Sequence, residues 1–352
     1  MAVLGALACA VSVCGASVCS GSAVEPSSSE TILATRAVAR AVALGSGPHA
    51  HASIVGGQSA SIANFPFQVA LYDPQAGSPA QGFFCGGVII DAIHVITAAH
   101  CVSGGAHQMA PAAGIEVLAG STSLDQPTAG SVRDPVQSSV VDPGYEPFSG
   151  NEDIALLTLA HPLWSSSSAP IVNGLDTIAP LAFDPGAAPA AYSNPGAGPA
   201  TLVTASGWGD VEPAPGHAPS YPTSLRAVKL ALVSESTCEE QYATIEQPIT
   251  SSMICAGGGS ARADTCYGDS GGPLLLDADT PARPPRDYVL LGLVDFGNGC
   301  AQPGFAGVYT RVSSPEIVSF LNSGAGKSAA ALGTQAKHKK KRRRKRPRRG
   351  VH

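Results

Sequence analysis

Short apolar runs separated by clusters of glycine, proline and serine dominate the central part of the chain. Two examples are residues 86–90 (GGVII) and residues 154–157 (IALL), which are rich in aliphatic side chains. Runs of this length with turn-forming clusters between them are typical of strands rather than of helices. The pattern therefore predicts an all-β fold, either a barrel or a sandwich.

One segment late in the chain departs from this pattern. Residues 314–321 (SPEIVSFL) begin with Ser and Pro and then place apolar side chains at helical spacing. Serine and proline are common at the start of a helix. We therefore predict a short helix that closes the folded domain.

The first 53 residues lack the features of a folded domain. Residues 1–23 are apolar, rich in small side chains and uncharged, and a Ser-rich stretch follows them. The hydrophobic character of residues 1–23 is too weak for a membrane-spanning helix, and the segment resembles a signal peptide that lacks the usual basic N-terminal residues. We expect a signal peptide over 1–23, a propeptide over 24–53, and a secreted, extracellular protein. A lipoprotein anchored through Cys9, Cys14 or Cys19 is the alternative, although none lies in a convincing lipidation motif.

The body and the end of the chain carry opposite charges. The stretch from Lys337 to Arg349 holds eleven of the 21 basic residues, which leaves ten against 26 acidic ones elsewhere, a net charge of −16. We expect a flexible linker over 323–336 and a disordered basic tail over 337–352. The tail is a candidate contact for a polyanion or the cell envelope, and a solvated tail without a partner is the alternative. No aromatic residue interrupts it, so no specific nucleic acid is predicted.

Residues 268–273 (GDSGGP) are the strongest candidate for chemistry. Glycines on both sides of Ser270 allow a tight loop that exposes the hydroxyl and turns backbone N–H groups toward one point. A serine hydroxyl becomes a useful nucleophile only when a base takes its proton and donors stabilise the oxyanion. The loop alone is equally compatible with a glycine-rich turn.

Two further segments supply the missing groups. Residues 97–101 (TAAHC) contain His100, and residues 151–157 (NEDIALL) place Asp153 directly before an apolar run. The order His, Asp, Ser along the chain is that of chymotrypsin and differs from the orders of subtilisin and the α/β-hydrolases. On these motifs the chain resembles the trypsin/chymotrypsin-type serine proteases.

The resemblance extends from residue 54 to about residue 320. Its further anchors are residues 54–57 (IVGG), 84–87 (FCGG), 206–209 (SGWG), 253–257 (MICAG) and 307–312 (GVYTRV). It implies a domain over 54–322 built from two six-stranded antiparallel β-barrels, with the active site between them. It also implies a serine endopeptidase that works through an acyl-enzyme, with an oxyanion hole formed by the N–H groups of Gly268 and Ser270. Two rival functions are a catalytically silent binding protein and a carrier domain for the basic tail.

Six of the nine cysteines lie in this domain. An even set in a secreted chain implies disulfides, and six cysteines allow fifteen pairings. The family resemblance implies Cys85–Cys101, Cys238–Cys255 and Cys266–Cys300. No close Cys-x-x-Cys pair in the domain supports a zinc site.

Specificity is expected to depend on Asp264, six residues before Ser270. In the trypsin-like relatives an acid at this place forms the floor of the primary pocket and attracts Arg or Lys through a charge-assisted contact. Thr265, Gly297 and Gly307 fall at the other pocket positions. The alternative is an ordinary loop acid beside Arg262.

Activation is expected to depend on Ile54 and Asp269. In the family, cleavage before the IVGG motif frees an α-amino group that pairs with the acid preceding the serine, and an unpaired buried charge there is costly. The preceding residue is Ser53 rather than Arg or Lys. Self-activation at this bond is therefore not expected, and another protease must cleave it.

Asp295 departs from the family pattern close to the chemistry. Residues 295–297 (DFG) stand where most relatives have Ser-Trp-Gly, and that serine contacts the catalytic aspartate. Two carboxylates in contact cannot both ionise cheaply. Either Asp295 shares a proton with Asp153, or it points elsewhere as a turn acid.

The sequence predicts no cofactor and no metal. The loop after residues 117–120 offers mainly Asp125, which is too few oxygen ligands for calcium. We expect a monomer that acts on protein or peptide substrates. The Ala-, Gly- and Pro-rich, Lys-poor body is typical of a bacterium with a GC-rich genome.

Overall fold

A computed structural model describes most of the predicted domain. The described residues are 54–104, 108–109, 114–164, 171–172, 175–176, 181, 201–211, 220–258, 263–277 and 288–323. The predicted signal peptide, propeptide and basic tail lie outside them, as does the predicted linker apart from Ser323. No helix in these ranges is long and apolar enough to cross a membrane.

The described part of the chain contains seventeen strands and three short α-helices. The strands are β1 (Gln58–Ser59), β2 (Gln68–Tyr72), β3 (Phe83–Ile89), β4 (His94–Thr97), β5 (Ser103–Gly104), β6 (Gln108–Met109), β7 (Glu116–Ala119), β8 (Val132–Val141), β9 (Ala155–Leu159), β10 (Ile171–Val172), β11 (Leu175–Asp176), β12 (Leu202–Gly207), β13 (Arg226–Val233), β14 (Met253–Ala256), β15 (Pro273–Asp277), β16 (Tyr288–Phe296) and β17 (Gly307–Arg311). The helices are α1 (Pro79–Gly82), α2 (Glu235–Ala243) and α3 (Pro315–Asn322), and 3-10 turns lie at Ile62–Asn64, Pro74–Ala76 and Ala99–Cys101.

The first barrel is closed by six antiparallel strands in the order β2-β3-β4-β9-β8-β7. Its core is a cluster of aliphatic side chains that includes Val69, Val95, Val117 and Leu157, all fully buried. Strand β8 alternates buried and exposed positions over its middle part, because one of its faces lies against solvent. Val, Ile and Leu dominate the barrel core because they pack well on pleated strands.

The second barrel contains six strands in the order β13-β12-β15-β16-β17-β14, and pairing between β13 and β14 closes it. Strand β1 adds to its edge by pairing with β13. Its core includes Val203, Leu230, Ile254 and Leu291. The predicted pair of six-stranded antiparallel barrels is therefore confirmed.

Aromatic side chains join the two barrels. The rings of Phe65 and Tyr288 stack with centroids 5.5 Å apart, and the Phe83 ring meets Trp208 edge-on at 6.2 Å. Both contacts join a residue at the first barrel to one of the second. Packed aromatic rings therefore form part of the contact between the two barrels.

The predicted C-terminal helix is present as α3. The hydroxyl of Ser314 caps it by accepting a hydrogen bond from the N–H of Ile317 at 3.4 Å, and Pro315 occupies the first turn. Ile317, Phe320 and Leu321 are buried. Their spacing of three and four residues is the pattern that predicts this helix from the sequence.

Candidate active site

His100 lies in a short 3-10 turn directly after β4. Ala98 and Ala99, which precede it, are fully buried, and small side chains let this turn pack closely against its surroundings. A disulfide joins the next residue, Cys101, to Cys85 on β3. The turn is therefore fixed at both ends, while 35% of the His100 side chain remains exposed.

Asp153 lies two residues before β9 and is fully buried. Glu152 before it has a positive φ of 53°, which turns the backbone sharply into the strand. The carbonyl of Asp153 accepts a hydrogen bond from the hydroxyl of Thr310 on β17 at 2.8 Å. The residue thus links the first barrel to the second.

Asp153 and His100 are joined by two hydrogen bonds. The backbone N–H of His100 donates to Oδ1 at 2.8 Å, and Nδ1 bonds to Oδ2 at 2.5 Å. Burial acts to lower the pKa of His100, but the charge of Asp153 and their hydrogen bond outweigh it and raise that pKa. Burial acts to raise the pKa of Asp153, but His100 and a hydrogen bond with Asp295 leave it lowered.

The Ser270 loop packs against the same part of the first barrel. The carbonyl of Ser270 accepts a hydrogen bond from the N–H of Gly86 at 2.8 Å and lies 3.7 Å from the sulfur of Cys101. A Cβ added to Gly271 would lie 2.8 Å from the nitrogen of Ala98. The structure thus brings the Ser270 loop against the turn that carries His100, although no hydrogen bond joins the Ser270 hydroxyl to the His100 ring among the described residues.

The backbone of this loop leaves two donors available. The N–H groups of Asp269 and Gly271 donate to backbone carbonyls at 2.9 and 2.8 Å. By contrast, the N–H groups of Gly268 and Ser270 have no partner within the part of the chain that the structure describes. Gly268 has a φ of 92° and Gly271 a φ of 74°, conformations that favour glycine.

Asp269 is held in a close-fitting site. The N–H groups of Gly209 and Cys266 donate to its two oxygens at 2.8 and 2.9 Å. A Cβ added to Gly207 would lie 2.1 Å from Oδ1, so the SGWG motif leaves room for this carboxyl. Burial raises the pKa of Asp269 to about 7. Ile54, the other predicted activation residue, is fully buried in the core of the second barrel.

Asp264, which is only 3% exposed, lies beside this loop. Its oxygens accept hydrogen bonds from the N–H groups of Thr265 and Ala301, at 2.9 and 2.8 Å, and burial raises its pKa to about 7. A Cβ added to Gly307 would lie 2.9 Å from Oδ1. The predicted pocket residues Asp264, Thr265 and Gly307 therefore lie together, and Gly297 lies on the loop that leads to Cys300.

Three disulfides join described residues: Cys85–Cys101, Cys238–Cys255 and Cys266–Cys300. They are the pairs that the family resemblance implies. The bond of Cys266 joins the Ser270 loop to the segment beside Ala301. It therefore helps to hold Ala301 against the carboxyl of Asp264.

Comparison with known protein families matches residues 54–319 to the family described as Trypsin. The chain belongs to the trypsin family. It is 31% identical to a trypsin of Saccharopolyspora erythraea over 77% of this chain and 100% of that protein, and 32% identical to trypsin-1 of Astacus astacus over 74% and 95%. It is 31% identical to serine protease filzig of Drosophila melanogaster over 76% of this chain but only 14% of that longer protein. It is thus a serine peptidase that acts on proteins or peptides.

In this trypsin-family chain, the sequence alone does not decide whether the side chain of Asp295 points toward Asp153. The structure brings its carboxyl to Asp153 rather than away from it: ligand atoms of His100, Asp153 and Asp295 all lie within 4.8 Å of one another. Burial, followed by the charge of Asp153 and their hydrogen bond, raises the pKa of Asp295 well above its ordinary value.

These three residues are also the best candidate ligands for a cation among the described residues. One nitrogen and two carboxylate oxygens are fewer ligands than Ca²⁺ prefers. Nδ1 of His100 is moreover already bonded to Asp153. The other group of suitable residues, Cys85, His100 and Cys101, contains two cysteines that are bonded to each other. Neither group fits a metal centre well.

Sequence reasoning missed the residues that hold the Asp153 loop in place. Asn151 accepts hydrogen bonds from the hydroxyls of Thr250 and Ser252, at 2.7 and 2.8 Å. Together with Thr310, these hydroxyls tie the loop of the first barrel to the second. Isolated hydroxyl residues carry no spacing signal, so only the tertiary contact identifies them.

Proposed function

We propose that this trypsin-family chain is a secreted endopeptidase that hydrolyses peptide bonds after Arg or Lys. The observation that carries the proposal is the two-bond contact of Asp153 with His100 beside the loop of Ser270. This is the arrangement in which a serine hydroxyl gains a base and the base gains an orienting carboxylate.

The reaction follows from these positions. The Ser270 hydroxyl attacks the carbonyl carbon of the scissile bond, and its proton passes to Nε2 of His100. Asp153 holds the proton on Nδ1 and stabilises the imidazolium. His100 then gives a proton to the departing amine, which leaves an ester between Ser270 and the acyl part of the substrate. Water, activated by His100, hydrolyses this ester and restores the free hydroxyl.

The negative oxygen of the tetrahedral intermediate needs donors that are not already engaged. The N–H groups of Gly268 and Ser270 suit this role, because the N–H groups of Asp269 and Gly271 are engaged by backbone carbonyls whereas these two have no partner among the described residues. Preorganised donors of this kind supply a large part of the rate enhancement in acyl transfer.

The preference for Arg or Lys is supported by Asp264. Asp264 is only 3% exposed, and a Cβ at Gly307 would lie 2.9 Å from its Oδ1, so glycine at 307 leaves room beside the carboxyl. Without a bound cation, burial raises its pKa to about 7. A substrate guanidinium or ammonium would favour the ionised form and gain a charge-assisted contact.

Activation by cleavage before Ile54 is supported by the site of Asp269. In the uncut chain the nitrogen of Ile54 is a peptide nitrogen and carries no charge, and Asp269 has a raised pKa. A freed ammonium would favour the ionised carboxylate and order the loop that contains Gly268.

Secretion is supported by the disulfides. The three disulfides of the described residues fit an oxidising, extracellular compartment.

A cleavage profile on a randomised peptide library tests the proposal. Protein freed at Ile54 should cut after Arg and Lys, and the Ser270→Ala variant should not cut at all above background. Cleavage after Phe or Leu in preference to Arg and Lys would contradict the specificity. Equal cleavage by both proteins would contradict the role of Ser270.

A further inference from the structure

Asp295 lies in a β-bulge at the end of β16. The pairing of β16 with β17 shifts by one residue between Val294 and Phe296, so Asp295 is the additional residue. The backbone of Val294 is tied to the Ser270 loop, since its carbonyl accepts a hydrogen bond from the N–H of Gly271 at 2.8 Å. Bulges re-aim side chains and are frequent beside active sites.

The re-aimed side chain is buried beside Asp153. Asp295 is 7% exposed, and its Oδ2 has no hydrogen-bond partner among the described residues. A Cβ added to Gly150 would lie 3.1 Å from Oδ1, so glycine at 150 leaves room for this carboxyl. The two carboxyls belong to different barrels and lie, with the His100 ring, within 4.8 Å of one another.

Burial and the negative charge of Asp153 favour a proton on Asp295. The groups that act on Asp295 are Asp153, Tyr145 and Tyr242, and burial raises the pKa of both tyrosines, so that they are neutral at physiological pH. His100 bonds to the far side of Asp153. Two buried carboxylates this close cannot both ionise cheaply. Asp153 is the one that stays ionised, because His100 already donates to both of its oxygens.

We propose that Asp295 is a neutral carboxylic acid that donates a hydrogen bond to the Asp153 carboxylate and so helps to position the catalytic pair. His100 then faces one negative charge instead of two. A second charge at this distance would raise the pKa of His100 further. It would thereby favour the imidazolium form, which cannot act as a base. This role of Asp295 rests on the function proposed for His100 and Asp153.

The His100 pKa, measured by NMR on the cleaved enzyme, tests the charge of Asp295. The Asp295→Asn variant keeps a donor of the same shape and cannot ionise. We expect its His100 pKa to lie at or slightly above that of the wild type, because an amide is the weaker donor to Asp153. A wild-type pKa higher than that of the variant by about one unit or more would mean that Asp295 is ionised, and would overturn the proposal.

Infrared spectroscopy with ¹³C-labelled aspartate shows directly whether the carboxyl group is protonated. The difference spectrum between wild type and Asp295→Asn should contain the carbonyl band of a protonated carboxylic acid at about pH 8, above the pKa of about 7 of Asp264 and Asp269. A carboxylate band there would overturn the proposal. Neither spectrum depends on activity, so this result stands apart from labelling of Ser270, which tests the proposed function.

Turnover measurements distinguish a positioning role of Asp295 from a role in packing alone. Asp295→Ala removes the donor and should lower kcat by roughly 10-fold or more with little change in KM, whereas Asp295→Asn and Asp295→Ser should restore most of the loss. Equal kcat for the alanine variant and the wild type would contradict the role. A chelator should change neither kcat nor the His100 pKa, and a loss of activity would indicate that a cation bridges the carboxyls in place of the proton.

Discussion

Asp153 receives two hydrogen bonds from one residue, His100, and these fix both the backbone turn and the ring of the histidine. With Nδ1 engaged, Nε2 is the nitrogen that remains for the cleft. The same two-bond contact joins Asp91 to His94 and Asp134 to His161. Of these three Asp–His pairs, only Asp153 and His100 lie beside the Ser270 loop. Their location, rather than the type of contact, therefore identifies them as the candidate catalytic pair.

This repetition supplies a matched control. Asp153→Asn should lower kcat by about 10⁴-fold, because the amide favours the wrong histidine tautomer. Asp134→Asn breaks an equivalent contact at His161, whose side chain is 76% exposed, and should leave kcat unchanged. Rates on a chromogenic arginine amide, with melting temperatures of both variants, measure the difference. Similar losses in the two variants would mean that the contact only stabilises the fold.

The sequence predicts the proposed catalytic residues better than the tertiary contacts that surround them. The motifs of His100 and Ser270 are local, and the short apolar runs predict an all-β fold, whereas the two six-stranded barrels are implied by the family resemblance. The direction of the Asp295 side chain depends on a shift in strand pairing between β16 and β17. No local sequence pattern predicts such a shift. Helix α2 was also not predicted, because it buries only Cys238 and Tyr242 and has no apolar stripe.

Replacing Asp264 should change the substrate preference. Asp264→Ser removes the charge at the pocket floor, and preference should shift from Arg and Lys toward apolar or aromatic residues, at a cost of several kcal/mol in discrimination. Asp264→Asn keeps the shape and should lose the same preference, mainly through KM. Relative kcat/KM values on matched Arg, Lys, Phe and Leu amides provide the measurement. An unchanged Arg preference in both variants would place the pocket elsewhere.

Cleavage before Ile54 should switch the enzyme on. Ser53→Arg gives this bond the proposed specificity, so the variant should activate itself, whereas Ser53→Gln should remain uncut like the wild type. Active protein should start at Ile54 by N-terminal sequencing. A wild-type chain that is fully active while still uncut would refute the mechanism.

The activated form should also lose activity at alkaline pH. Pairing with Asp269 raises the pKa of the Ile54 ammonium above its unfolded value of about 8, so the pair is fully present below that pH and is lost as pH rises through the folded pKa. Acetylation of the new amine should inactivate the enzyme at every pH. Activity that survives acetylation would show that the ammonium is not needed.

The basic tail should bind polyanions without affecting turnover. Full-length protein should be retained on heparin with an affinity that falls steeply with salt, whereas a chain ending at Ser323 should not. Both should hydrolyse a small peptide amide equally. Intact mass must first establish that the tail is present, because it is rich in the enzyme's own proposed cleavage residues. Equal retention of the two chains would leave the tail without this role.

Covalent labelling of Ser270 tests the central claim most directly. The self-activated Ser53→Arg enzyme, treated with a fluorophosphonate reagent and digested, should carry one label, on the peptide that contains Ser270, with activity falling in proportion to labelling. The uncut Ser53→Gln chain should react far more slowly, and adding Ser270→Ala to the Ser53→Arg chain should abolish labelling and lower kcat by about 10⁶-fold. A label on another residue, or turnover that persists after Ser270 is fully modified, would contradict the account.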